Sequence, residues 1–590
     1  MLTKHPWLME VDVSPLTEKA VTIYQVVRAM KKIVKLIHFK WKTLYPAPES
    51  LPRTRSFWIA LGIVALATLA YIVYFSIFLT TKQDAFRTNG EDLGIMDQAI
   101  WSLLHGSVLH QTICNVLTDT NCYGLAGIPR FAIHFEPILF PIALLYLLWS
   151  DPKALLILQV LVVASGAFPA FWLARLRLRN AWAALPFALL YLLYPTQQYA
   201  VNFDFHAETL TSALLLFAIY FLYTRKALWC LVFVILCLAC KEEIAGVIFM
   251  LGLWTLLLQR RVRFGLGLLA LSLGWTVIGL LVVHAFSPIG HSLLASRYSY
   301  LGQSPLQVAL TILTHPVSLV QQHLLETAHM LYLRKLLAPA GYLPLLAPWV
   351  LLLAAPTLAL NLLSSTPNMY SGDFQYNAEI IPILVFASIE ATVLIVWIVR
   401  WFLVRSRIAH KHKEPEPTAS PTRTQTTSRL SPTLLVQASV LTLLLCYILV
   451  RAFNSTVQYD VYSAMPYAHG FIWPSVTTHN RLAARFLAEI PPDSSVSTQT
   501  NLVPHLSERK GIYLFPYAVG HVDYILLDAT SYPYPFKDYN AYAAAAKATL
   551  QRGDYGIVDM GDGYLLLKRG YPLSDITPAL QMIDKDAHTD

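Results

Sequence analysis

Apolar residues gather into runs of about 17–25 positions separated by short polar stretches, the length at which a helix crosses a hydrocarbon core of roughly 30 Å. Spans are expected at Phe57–Thr80, Ala154–Ala174, Trp182–Gln197, Thr209–Thr224, Ala227–Cys240, Ile244–Leu258 and Phe264–Phe286. Two more are expected within Gln322–Leu363, turning near Pro344–Pro348, and the last two at Glu379–Val404 and Thr433–Phe453, about eleven in all. Pro137–Trp149 is short and bracketed by prolines, and reads as a helix at the membrane interface. From about residue 477 the pattern shortens. Helix Arg481–Glu489 precedes strands Val496–Thr498, Ile512–Phe515 and Tyr524–Leu527, then helix Tyr539–Gln551 and strands Tyr555–Asp559 and Tyr564–Lys568, the last pair turning at Gly561–Gly563. The expected fold is mainly α: a polytopic transmembrane bundle with a small carboxyl-terminal α/β domain.

Charge orients this bundle. Residues 1–55 hold 10 Lys/Arg against 4 Asp/Glu, and residues 454–590 hold 10 against 14. With the amino end cytoplasmic, Arg175, Arg177, Arg179, Arg225, Lys226, Arg260, Arg261 and Arg263 all fall on the same side, as the positive-inside rule asks. The expected division is a cytoplasmic basic arm over 1–56, amphipathic across Val21–Tyr45, and a transmembrane domain over 57–404 with outer loops at 81–152 and 287–322. A disordered cytoplasmic linker over 405–432, rich in Pro, Ser and Thr, a last span over 433–453 and an extracytoplasmic region over 454–590 follow. The expected location is the cell membrane, multi-pass.

Composition agrees. Of 590 residues 56% are hydrophobic and 13% charged, against roughly 25% charged in soluble domains. That excludes a disordered chain and a plain cytosolic enzyme. The net charge of +9 is a topology signal, and no nucleic-acid partner is expected. No Walker sequence or G-x-S-x-G elbow occurs, and the glycines of Gly265–Ala270 lie inside a span, where small residues pack helices. Cys230, Cys237, Cys240 and Cys446 lie in spans, whereas Cys114 and Cys122 share the first outer loop, where a disulfide could form.

Candidate chemistry sits in polar clusters that this topology places on one membrane face. Glu91, Asp92 and Asp97 follow the first span and open an amphipathic helix, Asp92–Leu104. Helix capping is the competing reading, and five-residue spacing keeps Asp92 and Asp97 off a shared face. His134 and Glu136 end the first loop. Asp204, His206 and Glu208 alternate, so an extended segment would aim all three one way, fit for a divalent cation or phosphate. The alternative is polar residues marking the water boundary. Lys241, Glu242 and Glu243 interrupt two apolar runs, where ionisable groups are expensive, and either pair with one another or hold a ligand. Tyr376 and Asn377 precede Glu379 at the start of the tenth span.

Together the segments EDLGIMDQAIW from Glu91, HFEPILFPIALLY from His134, NFDFHAETL from Asn202, KEEIAG from Lys241, FQYNAEIIP from Phe374 and LVPHLSERKGIYLFP from Leu502 resemble a family of predicted polytopic membrane proteins carrying a domain of unknown function. That family is similar, more distantly, to the GT-C glycosyltransferases, which take a sugar from a polyprenyl-phosphate donor at the extracytoplasmic face. The resemblance implies an acidic base in the first outer loop, where Glu91 and Asp92 stand, and two juxtamembrane helices, Asp92–Leu104 and Pro137–Trp149. It implies a hexosyl or pentosyl transferase with Asp92 as general base and Lys241, His206, Arg130 or Arg297 facing the phosphate, and a glycan, lipid or protein as acceptor. The sequence has Glu-Asp where many relatives have Asp-Glu or Asp-Asp. The competing classes are a transporter or flippase of a lipid-linked substrate, against which no internal repeat is found, and a non-catalytic membrane scaffold.

Overall fold

A computed structural model describes residues 49–117, 122, 124–302, 304–321, 325–411, 432–457, 473–531 and 533–586. Most of the basic arm, with its Val21–Tyr45 stretch, and most of the linker lie outside the described residues. The chain is a polytopic helical membrane protein with a small carboxyl-terminal sheet domain. Among the described residues, five helical segments are long and apolar enough to cross a bilayer: Arg55–Asp84, Pro152–Leu178, Val262–Phe286, Gln375–Leu403 and Leu434–Arg451. Five shorter apolar helices accompany them, at Ala181–Leu192, Ala207–Tyr223, Ala227–Cys240, Ile244–Leu257 and Pro348–Leu362. Over 322–363, where two spans are expected, the structure instead has helix Thr327–Leu337 followed by the broken Pro348–Leu362 segment. His329, Arg334 and Lys335 make the first of these too polar to sit in lipid. The interfacial helix is shorter than expected, Leu139–Tyr146.

The short helices stop where charge begins. Ala227–Cys240 ends at Lys241 and Ile244–Leu257 starts after Glu243, so the charged triplet forms a break between two packed helices. Proline sets other breaks: Pro195 starts the helix after Ala181–Leu192, and Pro348 follows a run of single turns. At the opposite end the basic residues gather. Arg175 donates to the Pro52 carbonyl at 2.7 Å, Arg179 meets Glu49 at 2.7 Å, and Arg261 donates to the Leu222 carbonyl at 3.2 Å. Arg177 makes a buried two-pronged pair with Glu390 at 2.5 and 2.8 Å.

The first loop carries a two-residue antiparallel ladder, β1 (His110–Gln111) with β2 (Ile128–Pro129), and Cys114 and Cys122 form a disulfide. The terminal domain has strands β3 (Val496–Thr498), β4 (Ile512–Leu514), β5 (Tyr524–Asp528), β6 (Tyr555–Gly561) and β7 (Tyr564–Arg569) in the order β4-β3-β5-β7-β6. The first three run parallel and β5-β7-β6 antiparallel, with Val496 opposite both Ile512 and Tyr524 and Leu526 opposite Leu566. Alternation sorts the two faces. Ile525, Leu527, Leu565 and Leu567 lie under helices Tyr539–Gln551 and Thr577–Asp586. Leu526, Leu566, Ile512 and Leu514 pack with Ala483 and Phe486 of helix Thr478–Ala488 and, beyond them, with Ile113 of the first loop.

That second face seats the domain on the first loop. Gln98 donates to Thr112 at 3.0 Å and to the Arg509 carbonyl at 3.1 Å, and Thr112 donates to the Ile512 carbonyl at 2.6 Å. Gly90 and Gly94 let Val503 come against the loop backbone: a Cβ on Gly90 would lie 2.7 Å from Val503 Cβ, and one on Gly94 2.7 Å from Val503 Cγ1. Gly90→Ala is therefore expected to destabilise the seated domain by about 1–3 kcal/mol, as overpacking does. Gly94→Ala is expected to do the same, and a Val503→Ala change made with it, which removes the Cγ1 that the new Cβ would meet, should recover most of that loss. Thermal unfolding of the detergent-solubilised protein checks both, and a Gly90→Ala protein that melts with the wild type would refute the contact.

Candidate functional site

The site starts at the end of the first long helix. Lys82, in its last turn, reaches Asp204 Oδ1 at 2.7 Å and the Asn202 carbonyl at 2.6 Å. The other oxygen of Asp204 accepts the Asn89 backbone N–H at 2.7 Å. Asn89 in turn caps a single π-type turn, Gly90–Gly94, by accepting the Glu91 N–H at 2.7 Å. Such turns widen a helix and often place functional groups. Helix Ile95–Leu104 follows directly.

This turn presents Asp92 to His206, whose Nε2 stands 3.2 Å from Asp92 Oδ1. His206 is held from behind. Its N–H donates to Gln159 Oε1 at 2.9 Å, while Gln159 Nε2 donates to the Val201 and Asp204 carbonyls at 3.1 and 2.8 Å. Its ring stacks with Phe203 at 5.6 Å. His206 Nδ1 is buried without a partner among the described residues, which assigns the proton of a neutral ring to Nε2, donating to Asp92. The Asp92 side chain stays about one-fifth exposed, at 21%.

Lys241 occupies the next position. Its ammonium lies 2.7 Å from Glu208 Oε2 and 2.5 Å from Glu243 Oε1, and 5.6 Å from the Tyr376 ring. Arg297 approaches the same ring, at 6.0 Å. The Tyr376 ring thus stands beside both cations. Beside this group His134 Nδ1 meets Glu242 Oε1 at 2.8 Å, the Phe135 N–H donates to Glu242 Oε2 at 2.9 Å, and Arg130 pairs with Glu136 at 2.7 Å. Asn377 donates to the Phe374 carbonyl at 3.1 Å, and its buried Oδ1 has no partner among the described residues.

Residues from four separate stretches of chain thus meet: Asp92, Arg130 and His134 from the first loop, then 204–208, 241–243 and 376–379. The expected common aim of Asp204, His206 and Glu208 is corrected. Asp204 has φ 78°, so the segment turns there instead of running extended, and its three side chains serve Lys82, Asp92 and Lys241 respectively. Three metal-capable side chains do come together elsewhere, with carboxylate oxygens of Glu208, Glu243 and Glu379 within 4.8 Å of one another. Glu91 faces away from His206, toward Asn115 at 3.4 Å, beside Tyr534. A separate polar cleft of about 230 Å³ lies at the seam with the terminal domain, lined by Asp84, Asp151, His505 and Glu508 among others, and none of the residues around His206 line it.

Sequence reasoning did not select Lys82, Asn89 or Gln159. Gln159 left a signal, a lone amide inside an apolar span, where an unpaired polar group is costly. Lys82 and Asn89 left none, because a lysine ending a span is ordinary snorkelling.

The family follows from a match over residues 82–566 to the group described as "Predicted membrane protein (DUF2079)". The chain belongs to this family. The matched stretch takes in every site residue named above, from Lys82 to Tyr534. No curated protein matches the chain. Among solved structures it is similar to ArnT from Cupriavidus metallidurans, crystallised with undecaprenyl phosphate, with a TM-score of 0.48 and 13% identity over 88% of this chain and 100% of that one.

Asp97 sits apart from His206. It is fully buried, accepting from Tyr146 and from Ser507 at 2.6 Å. Burial, together with the nearby Glu508 charge, pushes its carboxyl up to about 8. The folded protein then keeps the Asp97 proton at pH values where the unfolded chain has released it. Stability from this group is complete below the unfolded value near 3.8 and is lost progressively as pH rises toward about 8. Asp97→Asn, an isostere of the protonated acid, is expected to melt above the wild type at pH 8 and level with it near pH 4. Melting curves across this range decide it, and parallel curves would reject it.

Proposed function

We propose that the protein is a membrane glycosyltransferase that moves a sugar from a polyprenyl-phosphate donor to an extracytoplasmic acceptor, with Asp92 as general base. The observation that carries this reading is the Asp92 carboxylate, partly exposed and held through one oxygen by His206, beside a cluster of cations. With Oδ1 engaged, Oδ2 is left to take the proton of an acceptor hydroxyl. The acceptor oxygen then attacks the anomeric carbon, the bond from that carbon to the phosphate oxygen breaks, and the lipid phosphate leaves with the electron pair. Inversion at the anomeric carbon follows from a single displacement.

The leaving phosphate needs positive charge that is not already neutralised. Arg130 is paired with Glu136, and Lys241 with two carboxylates. Arg297 has no carboxylate partner among the described residues; its guanidinium contacts Met369 Sδ at 3.6 Å and the Tyr376 ring. It is the cation best suited to meet a phosphate. His134, Glu136, Tyr376, Asn377 and Glu242 are proposed to shape the donor site, and the lipid tail would lie along apolar helix faces in the bilayer. The clustering of Arg175, Arg179 and Arg261 at the opposite end supports an extracytoplasmic site.

In cells lacking the protein a polyprenyl-phosphate sugar should accumulate. Wild-type protein should clear it and Asp92→Asn should not, reflecting a rate loss of about 10²–10⁴-fold with unchanged melting. Lipid extraction and mass spectrometry read the outcome, and clearance by Asp92→Asn at the wild-type rate overturns the assignment. A cysteine placed at the exposed Ser107 should react with a membrane-impermeant maleimide added outside intact cells; labelling only after lysis would reverse the orientation.

A further inference from the structure

Around most of the site each buried charge has its counter-charge: Asp204 has Lys82 and Glu136 has Arg130. The balance fails around Lys241. One ammonium serves Glu208 and Glu243, while the third carboxylate, Glu379, receives only the Thr357 hydroxyl at 2.9 Å. Glu379 is fully buried and Glu208 is 3% exposed. Each retains an oxygen, Oε1 in both, with no hydrogen-bond partner among the described residues. The second oxygen of Glu243 likewise has no partner among the described residues. Three carboxylates and one ammonium leave two uncompensated negative charges, and a buried charge is tolerated only when paired.

We infer that Glu208, Glu243 and Glu379 bind one divalent cation. A carboxylate oxygen from each lies within 4.8 Å of the other two, a spacing that can close around one ion. The charge count selects the valence, because a 2+ ion brings the cluster to zero whereas a single proton leaves it at one negative charge. Donors that are all carboxylate oxygen select the hard cations, Mg²⁺, Mn²⁺ or Ca²⁺, over zinc or copper. Each carboxylate is also held by a neighbour, Glu208 Oε2 and Glu243 Oε1 by Lys241 and Glu379 Oε2 by Thr357, the kind of outer support that metal sites use. The Glu243 side chain, 22% exposed, gives the ion its way in and gives water access to complete its coordination. The site stands independently of the sugar-transfer reading, since cation binding is measured without any substrate.

The test uses the full chain in detergent, stripped with EDTA and titrated with Mn²⁺ followed by its EPR signal. One Mn²⁺ should bind per chain and be displaced by Mg²⁺ or Ca²⁺. Glu379→Gln and Glu243→Gln should each weaken binding by about tenfold or more. Glu508→Gln, at the terminal-domain seam, should bind as the wild type does. Where Glu379→Gln fails to fold, Glu243→Gln, at the exposed edge, carries the comparison. Wild-type protein that binds no Mn²⁺ at millimolar concentration, or variants that bind as tightly as it does, overturn the inference.

Discussion

The pairing of Lys82 with Asp204 is the constraint from which the site's geometry follows. A buried ion pair contributes little net stability, but removing one partner strands the other at a cost of about 3–5 kcal/mol. Here the pair does more than neutralise. Lys82 belongs to the first long helix and Asp204 to the turn after helix Pro195–Asn202, so the bond fastens two elements distant in sequence. The other Asp204 oxygen holds Asn89, and Asn89 caps the turn bearing Asp92. Two residues beyond Asp204 lies His206. Asp92 and His206 are therefore both measured from a single carboxylate, and their 3.2 Å approach is a consequence of that shared anchor.

The terminal domain tightens the same anchor. Thr500 donates to Asn89 Oδ1 at 2.9 Å and accepts the Gly90 N–H at 3.0 Å, so the turn is gripped from the sheet domain as well as from the bundle. A loop alone could not hold a carboxylate to within a fraction of an ångström, and this one is pinned on both sides. The short helices complete the support. At about 1.5 Å per residue, the 14-residue helices Ala227–Cys240 and Ile244–Leu257 fall short of a hydrocarbon core. Their facing ends leave room for Lys241–Glu243 to turn inward against Glu208.

How far all this could be read from sequence depends on the range of the interaction. The spans, the sheet strands and helix Tyr539–Gln551 were legible because periodicity and length are local properties, and β3 falls where its Val-Ser-Thr pattern predicts. Polar clusters were legible because charge is rare in apolar sequence. Which cluster meets which was not. Alternation at Asp204, His206 and Glu208 promised one common aim, and a single positive φ at Asp204 undid it, a feature that only the Lys82 and Asn89 bonds explain. The two spans expected over 322–363 are two shorter helical segments for a related reason: hydropathy averaged over a window hides where Arg334 and Lys335 fall on the helix.

Asp92 and Asp97 show how one short stretch yields two acids of opposite character. Asp92 lies in the π-type turn and Asp97 in the first turn of the helix that follows, and while Asp92 meets His206, Asp97 is turned toward other neighbours. There it meets Tyr146 and Ser507 at the terminal-domain seam, with no exposure at all. Dry surroundings and the neighbouring Glu508 favour its neutral form, which suits a structural hydrogen-bonding group and disqualifies it as a base near neutral pH. Asp92 keeps contact with water and has a partner that can donate to one oxygen while leaving the other open. The terminal domain, by covering Asp97 and leaving Asp92 uncovered, decides which of the two carboxyls can do chemistry.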